Sequence, residues 1–234
     1  MKNNNGLFQS ITLLCFSWLM TLSAYSQMEK GHIRYDFSYE AVTSDAQELI
    51  AFMPESHYDI YFNPQTTAVH IDMGIYFKMK IIRDLKNEKI MMTKDIAGEK
   101  VAISTSFKKY DLYNEESNNE NVEKEENSKP STTYLNETKE IQGYTCKKAI
   151  VKEDDQEVTY WYTEEFLIKG LEGTTFHNDI SGTILAFEFE DSGVKTICTV
   201  TELEDQIEDK SVFDMEIPEG YEEVESLEQY FEEI

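Results

Sequence analysis

Catalysis starts from nucleophiles, bases and metal ligands, and this sequence places few of them at useful spacings. Its four histidines, His32, His57, His70 and His177, show neither H-x-x-x-H nor H-E-x-x-H spacing, the patterns that set two imidazoles on one helix face around zinc. His70 and Asp72 stand two apart, which on a strand puts both on one face; two polar residues outside a sheet need no further role. No G-x-S-x-G elbow, Walker-type glycine loop or D-x-D-x-D-G calcium loop occurs. Cys146 and Cys198 lie in strand-like stretches without a C-x-x-C partner to lower a thiol pKa or hold a metal. In an oxidising compartment they could bridge if their Cα atoms came within about 7 Å; otherwise they pack as small buried hydrophobes. Acidic residues number 46, so a carboxylate pair at glycosidase-like separation arises by chance. The sequence thus points to no catalytic residue, no metal and no cofactor. A hydrolase remains an alternative only if the fold gathers histidines and carboxylates into a cleft.

Aromatic residues are the more usable signal. Tyr35, Phe37 and Tyr39 alternate along one strand, Leu185, Phe187 and Phe189 along another, and Trp161 sits inside a third. If the sheet curves, these faces converge. They form either a packed core or the wall of an apolar cavity of the kind small barrels enclose. A short helix over residues 44–52, carrying Leu49 and Phe52 and stopped before Pro54, would serve as a lid.

These elements belong to an exported chain. Lys2 is followed by an apolar stretch from Ile11 to Leu22 and the small-residue site Ser23-Ala24-Tyr25-Ser26. That combination reads as a signal peptide over residues 1–26, with cleavage after Ser26. The apolar run is shorter than the roughly 20 residues needed to span a bilayer, so no transmembrane anchor is expected after cleavage. The expected location is periplasmic or secreted. A formal charge of −25 repels nucleic acid and anionic lipid headgroups.

Residues 27–234 read as a single β-rich domain. Short alternating runs recur at residues 32–42, 58–62, 69–73, 77–84, 89–96 and 100–106, with turn residues between them, a meander or barrel pattern. Residues 114–130 carry one aliphatic side chain, Val122, and read as a disordered acidic loop. The runs resume at 132–141, 144–151, 158–162, 183–190 and 193–203. Residues 222–234 form an acidic tail whose Val224, Leu227, Tyr230 and Phe231 fall at helical spacing, suited to docking along one edge.

The hairpin opening Ile141-Gln142-Gly143-Tyr144-Thr145-Cys146-Lys147-Lys148-Ala149, followed by Tyr160-Trp161-Tyr162-Thr163, resembles the signature of small exported Bacteroidota proteins, the GLPGLI family and its relatives of unknown function. The ending Ile217-Pro218-Glu219-Gly220-Tyr221 fits the same group. Gly182-Thr183-Ile184-Leu185 stands where the namesake motif would be, which places this chain among the relatives. The resemblance implies a periplasmic lipoprotein-carrier-like fold and no reaction. The expectation is therefore a mainly β (α+β) protein: a curved antiparallel sheet or half-barrel with one to three short helices. It would bind a lipid or acyl chain without catalysis, with Tyr35, Phe37, Leu49, Phe52, Trp161, Leu185, Phe187 and Phe189 around the cavity. The alternative is an envelope interaction module that meets a protein partner through a sheet edge or the tail.

Overall fold

A computed structural model of the chain describes residues 26–121, 130–153, 156–168 and 180–232. The meander is continuous. Strands β2 (Gly31–Ala41), β3 (His57–Phe62), β4 (Thr66–Met73), β5 (Phe77–Asp84), β6 (Lys89–Ile96) and β7 (Glu99–Ser106) each pair antiparallel with the next. The second half adds β8 (Ser131–Ile141), β9 (Tyr144–Glu153), β10 (Gln156–Thr163), β12 (Thr183–Asp191) and β13 (Val194–Glu204), with β13 returning to pair with β2. With β14 (Glu222–Glu223) the result is an open 12-stranded sheet, ordered β14-β7-β6-β5-β4-β3-β2-β13-β12-β10-β9-β8. Outside it, β1 (Ser26–Met28) and β11 (Phe166–Ile168) make a separate parallel pair. The protein is mainly β.

The sheet curls. Gln142, in the β8–β9 turn, donates from Nε2 to the carbonyl of Thr201 on β13 at 2.8 Å. Those strands are three places apart, about 14 Å in a flat sheet at the usual strand spacing. The main core lies on the face carrying Ile33, Tyr35, Tyr58, Ile60, Phe62, Phe187 and Val200. Tyr35 crosses β13 to donate its hydroxyl to the Ile184 carbonyl at 2.8 Å.

The helices are short. Helix α1 (Ala46–Ile50) is a single turn, and α2 (Phe107–Asn121) follows β7 directly. Residues 114–121, expected to be loop, thus continue a helix; residues 122–129 of that expected loop lie outside the described residues. The reason is local: Ser106 Oγ accepts from the Lys109 N–H as a cap, and no glycine or proline interrupts residues 107–121. The C-terminal segment docks, but only Leu227–Glu232 is helical: Glu222–Glu223 pair with β7 as a short strand, and Phe231, expected on the docking face, is 46 % exposed. Val224, Leu227 and Tyr230 of the segment holding α3 (Leu227–Glu232) are buried against Ile90, Met92, Val101 and Ile103. Lys94 Nζ donates to the Tyr230 carbonyl and stands over its ring.

Candidate functional site

A cleft of about 1130 Å³ opens at one end of the strands. It is lined by the apolar Met28, Pro64, Tyr144, Phe166 and Leu203 and by the polar or charged Glu29, Lys30, Glu165, Glu204, Asp205, Gln206 and Glu208. The β1–β11 pair supplies one wall, since Ser26–Met28 registers with Phe166–Ile168. Tyr144 meets Phe166 edge-on at 4.6 Å between ring centroids. Glu165 is held in place by accepting the Thr145 N–H at 2.8 Å. Backbone packing here is close. A Cβ on Gly31 would fall 2.4 Å from the Glu204 carbonyl oxygen and 3.1 Å from Met28 Sδ, so only glycine lets β2 lie this near β13. A smaller cleft of about 290 Å³ separates β7 and α2 from the start of α3.

The opposite face of the sheet carries cross-strand rows of charge. Glu202, Arg34, Asp59, His70 and Lys80 are successive partners across β13, β2, β3, β4 and β5. Asp36, His57, Asp72, Lys78 and Asp95 form the next row. Asp59, only 3 % exposed, is the hub. It accepts from His32 Nε2 at 2.6 Å and Arg34 Nε at 2.8 Å, with His57 Nε2 at 3.7 Å. Burial pushes its carboxyl up, but hydrogen bonds from His32 and Arg34 outweigh that and hold it below the ordinary carboxylate range. His70 is pulled down to about 4 by burial, with Lys80 adding to the effect. His70 and Asp72 do share a face, but Asp72 pairs with Lys78 at 2.8 Å instead.

Three histidines that looked scattered in sequence are therefore neighbours around Asp59 and Tyr61. Sequence reading missed this cluster because its members are cross-strand partners up to 38 residues apart. The only local hint was the recurrence of His and Asp at outward positions. Arg34 and His32 occupy the hydrogen-bonding oxygens of Asp59, so the carboxylate neutralises its neighbours. No group of metal-ligating side chains fit to hold an ion occurs among the described residues.

The residues expected around a cavity divide into three sets. Tyr35, Leu185 and Phe187 are buried, with Phe37 and Phe189 packed against the same core. Their rings touch: Phe37 and Phe187 at 6.3 Å, Phe187 and Phe189 at 6.4 Å between centroids. Neither cleft is lined by any of them. Trp161 pairs with Lys148 and Ala186, while the adjacent Tyr160 pairs with Phe187. Trp161 is half-buried and packs against the same core as Phe37 and Phe189, with Lys139 Nζ 4.3 Å from its ring centroid. Leu49 and Phe52 are 47 % and 77 % exposed. They sit near the far end of β2, where Val42 bonds Gly193, away from the large cleft at the Gly31 end.

Cys146 and Cys198 are buried and unbridged. Cys198 stands in the row Phe37–Cys198–Phe187–Tyr160–Ala149. Cys146 on β9 belongs to the same buried core, with β10 and β12 between its strand and that of Cys198. Burial pushes the Cys146 thiol up to about 11, and Cys198 higher still. His177 lies outside the described residues.

Residues 78–176 match the family model described as "N-glycanase peptide, N-terminal domain". That span is under half the chain. It includes the Ile141–Ala149 stretch on which the GLPGLI resemblance rests. No curated protein matches. Among solved structures, PNGF-II aligns with 16 % identity over 87 % of this chain and 32 % of its own, at a TM-score of 0.46. The chain spans about a third of that protein's length. The Mycobacterium tuberculosis lipoprotein LppX aligns with 9 % identity over 84 % of this chain and 97 % of its own, at 0.34. LprF from Mycobacterium bovis aligns with 10 % identity over 77 % and 88 %, at 0.31. Likenesses this distant transfer neither fold nor function.

Proposed function

We propose that this chain is an exported, non-catalytic binding module that takes an apolar ligand, such as a lipid or acyl chain, into the cleft at the Gly31 end of the sheet. One observation carries the reading: a space of about 1130 Å³ lined in part by Met28, Tyr144, Phe166, Leu203 and Pro64. That exceeds the usual 300–1,000 Å³ of small-molecule sites. Apolar side chains left facing such a space gain about 25 cal/mol per Å² when a ligand covers them. The ligand position thus shifts from the aromatic core, whose rings already fill one another's space, to the strand ends. Titration with the neutral dye N-phenyl-1-naphthylamine tests it. Saturable fluorescence enhancement that Leu203→Asp abolishes is expected; unsaturable or unchanged enhancement would contradict it.

The family match favours a second reading, in which the chain works on or beside N-linked glycans. Incubation with a denatured N-glycosylated protein, followed by intact mass measurement, tests that directly. Loss of glycan mass would establish it, and an unchanged mass across a range of glycoproteins would remove it.

A further inference from the structure

We propose that residues 205–217 form an acid-released strap: His70 holds it down when neutral and frees it when protonated, moving one wall of the large cleft. The strap leaves β13 at the cleft, where Asp205, Gln206 and Glu208 are part of the lining. It then crosses to the charged face and forms a 3-10 turn over Lys210–Phe213, capped by Asp209, whose carboxylate accepts the Ser211 N–H at 2.8 Å. Phe213 and Met215 anchor it against Ala68, Ile82, Met91 and Tyr61. The turn lies on β4, and its Val212 backbone meets the His70 ring.

His70 is poised for this role by what faces it. From β3 come Asp59 and Tyr61, from β2 His32, from β5 Lys80, and from the strap the Val212 backbone; Arg34 bonds Asp59, and Asp209 lies near Tyr61 and Lys80. Asp59 would favour an imidazolium, but its oxygens already accept from His32 and Arg34. The Val212 backbone bond also favours one, but burial, the largest effect, outweighs both, and Lys80, the direct cross-strand neighbour, and His32 oppose one as well. His70 Nε2 is buried without a partner, so a proton there would have no acceptor while the strap is down. Lifting the strap exposes the ring to water and removes that penalty.

The strap is also the cheap element to move. Its 3-10 turn has no buried residue, and Phe213 and Met215 are only partly buried. The sheet beneath is held by full antiparallel ladders, so local opening should precede global unfolding. Raising the ring from about 4 when closed to an ordinary value near 6.5 when open links opening to protons. Opening becomes about 20-fold more favourable at pH 5 than at neutral pH, and about 200-fold well below pH 4.

Amide hydrogen exchange on the full chain, corrected for intrinsic rates, reads this without any ligand. From pH 7 to pH 5, residues 205–217 should lose about 20-fold in protection while β9 and β10 keep theirs. His70→Gln should remove that pH dependence. Phe213→Ala should loosen the strap at pH 7 even if the His70 variant folds poorly. Equal protection at the two pH values, or the same loss in His70→Gln, would overturn the proposal. The link to ligand rests on the cleft reading, so dye binding is measured in parallel. A strap that opens while dye affinity stays constant would overturn the coupling to the cleft. A dye that binds at neither pH would contradict the cleft reading alone.

Discussion

Asp59 shows how one buried residue can organise a face of the sheet. A buried carboxylate is costly unless its oxygens are occupied, and His32 and Arg34 occupy them. Asp59→Ala leaves a buried His32 without its partner and should lower stability by about 3 kcal/mol in urea denaturation, whereas Glu202→Gln, at the half-exposed end of the row, should change little. Because the folded carboxyl lies below its ordinary 3.8, its contribution is complete above about pH 4 and is lost as pH falls through the depressed value. His70 acts over a different window. Its folded value of about 4 lies below the unfolded 6.5, so stability declines as pH falls from about 6.5 to 4, and His70→Gln should flatten that decline. The cysteines give a third check at this scale. With thiols raised by burial, neither should react with iodoacetamide at pH 8 in the folded protein, and both should react after unfolding.

At the scale of elements, period-two alternation made most strands readable. Ile33 and Tyr35 are buried as their alternation required, and the Asp191-Ser192-Gly193 signal is a turn, with Ser192 and Gly193 both at positive φ. Alternation says which residues share a face but not what lies against it. For that reason Tyr35, Phe187 and Trp161, which share one core, could be core or cavity wall in sequence. The cleft was illegible for a related reason: its apolar lining draws single residues from strand ends at positions 28, 144, 166 and 203, which share no period. Helix α2 was missed because asparagine and glutamate suggest solvation, which a capped, exposed helix tolerates. The tail was legible in part, since Val224, Leu227 and Tyr230 do dock on the β6–β7 core. Tyr230→Ala should cost about 3–5 kcal/mol, measured as a shift in the denaturation midpoint. A tail that contributes nothing to stability would show no shift.

For the whole molecule, the sheet separates two jobs. One face and the curl of β8–β9 over β13 build the core, and the other face balances charge in rows that keep a chain of net charge −25 folded near neutrality. The strand ends carry the cleft for which a binding role is proposed. Gly31 is where these jobs meet, because the close approach of β2 to Glu204 shapes the cleft. Gly31→Ala should weaken dye binding at least several-fold while leaving the β9–β10 amides protected in hydrogen exchange.

Native mass spectrometry of the protein purified from cell envelopes tests the central claim most directly. The account predicts a bound apolar molecule of lipid-like mass, released by organic solvent, present in the wild type and absent from Leu203→Asp. Wild-type protein carrying no adduct, or an adduct retained undiminished in Leu203→Asp, would contradict it.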